Sequence, residues 1–551
     1  MLKSWNSQIF LVAGTALTTL IITPELGMDP VSLPKLVILS TTAFSAFAMA
    51  LFSKSRHQFT SRKLEIILIL ALAIWPLISM FSSSQPLVQQ FYGVWGRNTG
   101  YLTYLSFLFI FFAGTQLFLS EQKKYVINAL SISGSISILY GLIQSLGFDL
   151  INWASNSGPI IGFLGNPNFQ STFAGLTIVS YTYIITNNAN SPSLRISATL
   201  LALIGIYTIY RSNSEQGFFV SAIGVSLYFF LTCIPNKKKA TIWLSSVIYL
   251  FSLVIAGFGV LGLGPLGNYL SSSTIEIRKG YWSIAYKIVE QNPFLGVGVD
   301  GYGDLFTRVR EAEDIAKIGS HTTTTAAHNV FLDFAVNGGV PYLALYLFLI
   351  GYIFKRAINA LQVNNFSDNR FNLIVSIWVA FLAQSVISIN QIGLGIWNWL
   401  FMGTILGYSH SLSNSSSDVR LKRNKTSARQ PRVGIMFGAA GAIIGLVISL
   451  PPLLTDAKFR NSYSSGSPEV FEAASSSWPQ DVVRMVTGVD VLRDNNFQEL
   501  AIVLAKKTIT FNPNSIYGYK ALNSIPSLPE SERAWAIRKL RELDPLGSKY
   551  L

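Results

Sequence analysis

Thirteen stretches of this chain are apolar enough, and nearly all long enough, to be read as bilayer spans. About 20 residues of helix cover the ~30 Å of hydrocarbon in a bilayer. The stretches run 9–23, 33–52, 64–82, 101–119, 125–146, 168–187, 196–210, 217–234, 241–262, 329–354, 371–389, 392–410 and 433–452. Lipid offers no partner to backbone N–H and C=O groups, so such runs must be helices that satisfy their own backbone. The expected fold class is all-α: a polytopic membrane helical bundle of about 12–13 transmembrane helices, with a small extracytoplasmic helical tail. The bundle takes residues 1–454, including an outer loop domain at 263–327, and the tail takes 455–551. Only 12% of residues are charged, about half of what a soluble domain carries. No small-residue cleavage site follows the first run, so a cleavable secretory signal is not expected. The single cysteine, Cys233, excludes a disulfide framework and a cysteine-based zinc site.

A formal charge of +14 suggests nucleic acid until its distribution is examined. Placing the N-terminus inside puts Lys54, Arg56, Arg62, Lys63, Lys123, Lys124, Arg195, Lys237, Lys238 and Lys239 in inner loops. Lys355, Arg356, Arg370 and the basic run from Arg420 to Arg432 follow on the same side, whereas the short outer loops hold only Arg97 and Arg211. Alternation of this kind is the positive-inside pattern. It predicts a cytoplasmic N-terminus and an extracytoplasmic C-terminus, and no nucleic-acid role.

The tail holds twelve basic and eleven acidic residues. Pro479, Pro513 and Pro545 recur at spacings of 34 and 32, with alanine- and leucine-rich stretches between them. That period is the one shown by tetratricopeptide helix pairs, although prolines at the ends of ordinary helices have the same look. Both readings make the tail a docking or spacing module.

Ionisable groups are costly in so apolar a chain, and they mark candidate sites. On a helical wheel, residues 276–291 place Ile277, Tyr281, Trp282, Ile284, Ala285, Ile288 and Val289 on one arc. This amphipathic helix suits the membrane surface or the side of the bundle. Arg278 is the only charge inside the apolar arc, either snorkelling to the interface or gripping an anion such as pyrophosphate. His328 opens the tenth run, followed by Asn329, Asp333 and Asn337 at four-residue spacing. A helix N-terminus disfavours the cationic imidazole and keeps it able to accept a proton. His321, in the threonine-rich stretch before it, competes for that role, and a structural histidine is the plain alternative. Asn166 and Asn168 sit in GFLGNPNF (162–169), a strong turn signal. Arg97 and Arg211 read equally well as interfacial anchors. No HExxH, Asp-x-Asp, Walker loop or dinucleotide fingerprint occurs. A donor already activated and already in the membrane fits better than a nucleotide.

Across roughly residues 90–410 the motif set resembles the O-antigen ligase and polymerase superfamily of bacterial envelope enzymes. The Gly-Asn-Pro-Asn turn (Gly162 to Asn168), RKGYWSIAYKIVEQNPFLGVGVDGY (278–302), AHNVFLDFAVNGGVPYL (327–343) and QSVISINQIGLGIWNWLFMG (384–403) carry the likeness. The resemblance implies a GT-C-like bundle in the bacterial cytoplasmic membrane that performs glycosyl transfer on its outer face without metal or other cofactor. The donor would be an oligosaccharide or polysaccharide on undecaprenyl pyrophosphate, and the acceptor a hydroxyl on a glycan, lipid or protein. Carried over, Arg278 binds the pyrophosphate, with Arg211 and Arg97 as further contacts, and His328 deprotonates or orients the acceptor. Asn329, Trp282, Asn166, Asn168, Gln216 and Asp333 support them. One departure is that the family's Ser-Arg-Gly reads Ser214-Glu215-Gln216-Gly217 here, with Gln216 in the arginine's place and Arg211 five residues earlier. A repeat-unit polymerase of the same superfamily is one alternative; a transporter or flippase is another. The latter predicts charges or broken helices near the bilayer centre. A structural assembly protein that binds a partner through its tail rests on the tail alone.

Overall fold

The computed structural model describes residues 5–52, 63–117, 120–149, 160–236, 274–415 and 431–547, with a few single positions between them. The described residues contain helices and loops and no strand. The first part of the bundle comprises α1 (Trp5–Leu20), α2 (Ser32–Leu51), α3 (Lys63–Ser82), the short α4 (Leu87–Tyr92), α5 (Tyr101–Gly114) and α6 (Ser120–Ser145). Then come α7 (Pro167–Thr186), α8 (Pro192–Arg211) and α9 (Gln216–Cys233). A loop region follows with α10 (Thr274–Gln291), α11 (Tyr302–Val309) and α12 (Ala312–Ile318). The bundle closes with α13 (Val330–Val363), α14 (Asn369–Ser385), α15 (Ile392–Ser415) and α16 (Pro431–Ser462).

Every expected span except 241–262, which lies almost wholly outside the described residues, coincides with one of these helices. Seven described helices are long and apolar enough to cross a membrane: α2, α3, α6, α8, α9, α13 and α16. The protein is thus a multi-pass membrane bundle, and among the described residues fewer of the expected spans are strongly apolar than the sequence suggests. The physical reason lies in burial. Helices α7, α14 and α15 are enclosed by other helices and meet little lipid, so they carry polar groups such as Gln170, Thr172, Asn372, Gln384 and Asn398, all buried. On α3, by contrast, Ile67, Leu70, Ile74, Ile78 and Phe81 form an exposed stripe at helical spacing.

The span expected at 329–354 is not one continuous helix, because α13 is broken near its start, at Gly338 and Gly339. Pro341 has no N–H for the Asn337 carbonyl, which accepts from Ser79 Oγ at 2.6 Å instead. The Val336 carbonyl takes the Val297 N–H at 2.9 Å, and the Val340 N–H goes to the Pro293 carbonyl at 2.7 Å. Those two α13 groups would otherwise pair with each other. Trp75 Nε1 adds a bond to the Gly338 carbonyl at 2.7 Å. The loop at 293–297 therefore plugs the break, and irregular backbone is satisfied by protein.

The amphipathic helix expected at 276–291 is α10, and its apolar arc faces protein. Ile284, Ala285 and Ile288 share a core with Tyr302, Phe306 and Ile318. The tail folds as α17 (Pro468–Ser475), α18 (Val482–Asp494), α19 (Gln498–Phe511), α20 (Ile516–Asn523) and α21 (Glu530–Leu543) around Met485, Leu504, Leu522 and Leu540. It lies against the bundle end where α1 stops and α2 starts. There Asp456 accepts the Asp29 N–H at 2.9 Å and the Trp95 indole N–H at 2.9 Å, and Asp481 accepts the Trp95 backbone N–H at 3.0 Å.

Candidate functional site

Two loops meet at this end of the bundle, 93–100 before α5 and 319–329 before α13, and Glu215 of the 212–215 loop before α9 interacts electrostatically with Arg278 of α10. Asn329 caps α13 by accepting the N–H groups of Phe331 and Leu332. His328, one residue earlier, adopts φ +55°, the left-handed region that few non-glycine residues occupy. Asp333, a turn into α13, holds the preceding residue by accepting the Ala327 N–H at 2.9 Å. Asn337 accepts the Asp300 N–H at 3.2 Å. The polar stripe of Asn329, Asp333 and Asn337 is thus a set of loop anchors around His328.

The half-buried His328 ring stacks on Tyr281, with centroids 5.1 Å apart. Tyr281 lies one helical turn past Arg278 on α10, and its own carbonyl accepts from Tyr302 Oη at 2.9 Å. Burial, with Arg97 and then Arg278 adding to it, drives the His328 imidazole down to about 3. The neutral form expected from the sequence is thus favoured here by desolvation and two guanidiniums. His321 is exposed.

Arg278 is half-buried and makes no hydrogen bond or ion pair among the described residues. Burial presses its guanidinium below the ordinary range, while Glu215 and Tyr281 oppose that shift. Glu215, which does not stand out in the sequence, is raised by burial and pulled back by Arg278. Its only signal there was its place in the altered Ser-Glu-Gln-Gly stretch.

Arg97 sits in the loop before α5 and donates from Nη1 to Thr325 Oγ1 at 2.8 Å, while its Nε is buried without a partner. It also opposes the burial-driven rise of Asp300, whose Oδ2 accepts the Val94 N–H at 2.6 Å. Asp300 is a second residue the sequence did not single out, and it too has a positive φ, +60°. Trp282 buries an unpaired indole N–H.

The Asn-Pro-Asn turn serves a neighbouring junction. Asn166 caps α7 by accepting the Asn168 N–H, and Asn168 Oδ1 accepts from Ser214 Oγ at 2.8 Å. Gln216 is buried, its Oε1 receiving Thr172 and Gln384, each at 3.3 Å. These bonds hold the loop that carries Glu215. Arg211 ends α8 as an exposed residue with no hydrogen bond or ion pair among the described residues. The fold therefore gathers His328, Arg278, Arg97 and Tyr281 into one electrostatic group, and leaves Arg211 outside it.

Such a group has a neutral imidazole, a guanidinium without a hydrogen-bond or ion-pair partner among the described residues, and a second cation. It can accept a proton while holding an anion close by. Residues 200–347 match the family described as O-Antigen ligase. The chain is also similar to the teichuronic acid biosynthesis protein TuaE of Bacillus subtilis (strain 168), at 24% identity over 266 residues, which cover 45% of this chain and 51% of that one. The match thus spans about half the length of this curated relative. The matched segment contains α10, the loop of His328 and the break in α13, so the likeness to the O-antigen ligase family lies in the site-bearing region of the chain.

Proposed function

We propose that the protein is a glycosyltransferase of the O-antigen ligase type. It moves a glycan from undecaprenyl pyrophosphate to an acceptor hydroxyl at the outer face of the bacterial cytoplasmic membrane. The observation that carries this reading is a neutral His328 in the electrostatic field of Arg278 and Arg97, with Arg278 making no hydrogen bond or ion pair among the described residues. The alternation of basic loops supports a cytoplasmic N-terminus and an extracytoplasmic tail of tetratricopeptide-like helix pairs. In agreement with that repeat, α20 begins 34 residues after α18.

In this reaction His328 takes the proton of the acceptor hydroxyl as its oxygen attacks the anomeric carbon. The bond from that carbon to the pyrophosphate oxygen breaks, and the electron pair leaves with the lipid pyrophosphate. Arg278 stabilises the charge that develops there, as a preorganised cation in a water-poor site does. An imidazole held near 3 is by itself a weak base. A bound pyrophosphate offsets the positive field of Arg278 and Arg97 and so raises its basicity. Good leaving-group chemistry leaves positioning, one base and cations as the protein's contribution, with no step that calls on a metal. A transport reading gains nothing from the break in α13, because residues 293–297 fill it.

The test is His328→Ala and Arg278→Ala in cells, with chemical analysis of the surface glycan. Attachment lost with free lipid-linked polymer accumulating marks a ligase. Shortened chains alone mark a polymerase. Unchanged attachment and chain length in both variants refute the proposal.

A further inference from the structure

The tail carries no catalytic constellation, yet two of its contacts with the bundle bear on the loop that ends in His328. Asp544, just past α21, pairs with Arg310 at 2.7 Å, and the two side chains are 2% and 1% exposed. Arg310 Nη2 meets Asp544 Oδ1, while Arg310 Nη1 donates to the carbonyls of Ser320 at 2.9 Å and Thr322 at 3.4 Å. The tail's carboxylate therefore fixes the guanidinium that in turn fixes the loop. Tyr517 of α20 reaches the same loop directly, its hydroxyl 2.8 Å from Thr323 Oγ1. Thr325 and Ala327 are held from the bundle side by Arg97 and Asp333.

This loop follows α12 and makes almost none of its bonds within a regular element. A left-handed backbone such as that of His328 persists only where the surroundings over-determine it, and here the tail supplies part of that constraint. A completely buried ion pair is a poor source of net stability, since both charges lose their hydration. What it does provide is a fixed geometry, passed on to two backbone carbonyls of the loop.

We infer that the tail is a positioning element of the transfer site. Asp544, acting through Arg310 and aided by Tyr517, holds residues 320–327 so that His328 stands beside Arg278. Neither Asp544 nor Arg310 touches a reactant; both are positioning residues. The inference rests on the reading of His328 given above, and its test separates the two.

The experiment uses the full chain in detergent or nanodiscs, with the host's own undecaprenyl-pyrophosphate-linked glycan as donor. Hydrogen exchange is followed at the amides of 319–328 alongside donor kinetics. Asp544→Ala is expected to speed exchange there and to lower kcat by roughly ten- to a hundred-fold with donor KM nearly unchanged, the mark of a misplaced reacting group. Asp544→Glu should restore both, and Tyr517→Phe should shift both in the same direction by less. Asp544→Ala strands a buried guanidinium and risks misfolding, so Asp544→Asn, which keeps an acceptor for Arg310, and Tyr517→Phe stand as second variants. Wild-type exchange at 319–328, or wild-type kcat despite faster exchange, overturns the inference. Full activity in His328→Ala refutes the functional reading instead, and exchange alone then decides whether the tail holds the loop.

Discussion

The break in α13 gives a sharp test of how the site is framed. Gly339 has φ +74° and ψ −178°, a region essentially closed to residues with a Cβ. A methyl group there would lie 2.4 Å from both the carbonyl carbon and oxygen of Phe294, and 2.6 Å from the Pro293 oxygen. All three are backbone atoms, so no side-chain rotation relieves the clash. Backbone strain of about 1–3 kcal/mol and overpacking of about 1–3 kcal/mol give Gly339→Ala a cost of roughly 2–6 kcal/mol. Relaxation would pull the 293–297 loop out of the break, and with it the Val297–Val336 and Val340–Pro293 bonds. The assay is the midpoint of thermal unfolding in detergent, read beside glycan transfer, with Gly351→Ala as control. Gly351 lies in the same helix, and a methyl group there would have nothing within 4 Å, so alanine should be neutral or slightly stabilising. A drop of roughly 2–5 °C is expected for Gly339→Ala in a chain of this length. A midpoint equal to that of the control, with normal transfer, would refute the argument that the plugged break is needed.

Two further predictions concern the electrostatic group. The His328 imidazole stands near 3 in the folded site against an ordinary 6.5. Between those values the unfolded chain binds a proton that the folded site refuses, so stability falls as pH drops from about 6.5 toward 3. The neutral imidazole survives through that window. Arg97→Gln removes one depressing charge, lifts the folded value toward 6.5 and moves the acid limb of kcat/KM to higher pH; an unmoved limb counts against His328 as the base. Glu215→Gln removes a carboxylate that opposes anion binding at Arg278, so donor KM should fall several-fold. A higher KM in that variant would show that Glu215 helps to hold the donor.

Periodicity and composition alone determined that this chain is a bundle of membrane helices, because hydrocarbon permits few other ways to satisfy a backbone. The bounds of the apolar runs were looser, and the exact starts are set by local chemistry such as Pro167 and Pro192 in a first turn and Asp368 as a cap. Arg278 and His328 stood out as polar groups against an apolar background. Their partners did not, since Tyr281 looked like one more apolar-face residue and Asp300 and Glu215 like ordinary loop acids. Only the tertiary structure brings Arg97, some 230 residues upstream, to Thr325, turns the Asn329–Asn337 stripe into anchors, and leaves Arg211 exposed. It also decides that α13 is interrupted and that the tail bonds to the loop before His328. Such facts depend on which distant donors meet which orphaned acceptors, and no local pattern records that pairing. Thirteen apolar runs specify a bundle; the hydrogen bonds between its loops specify a site.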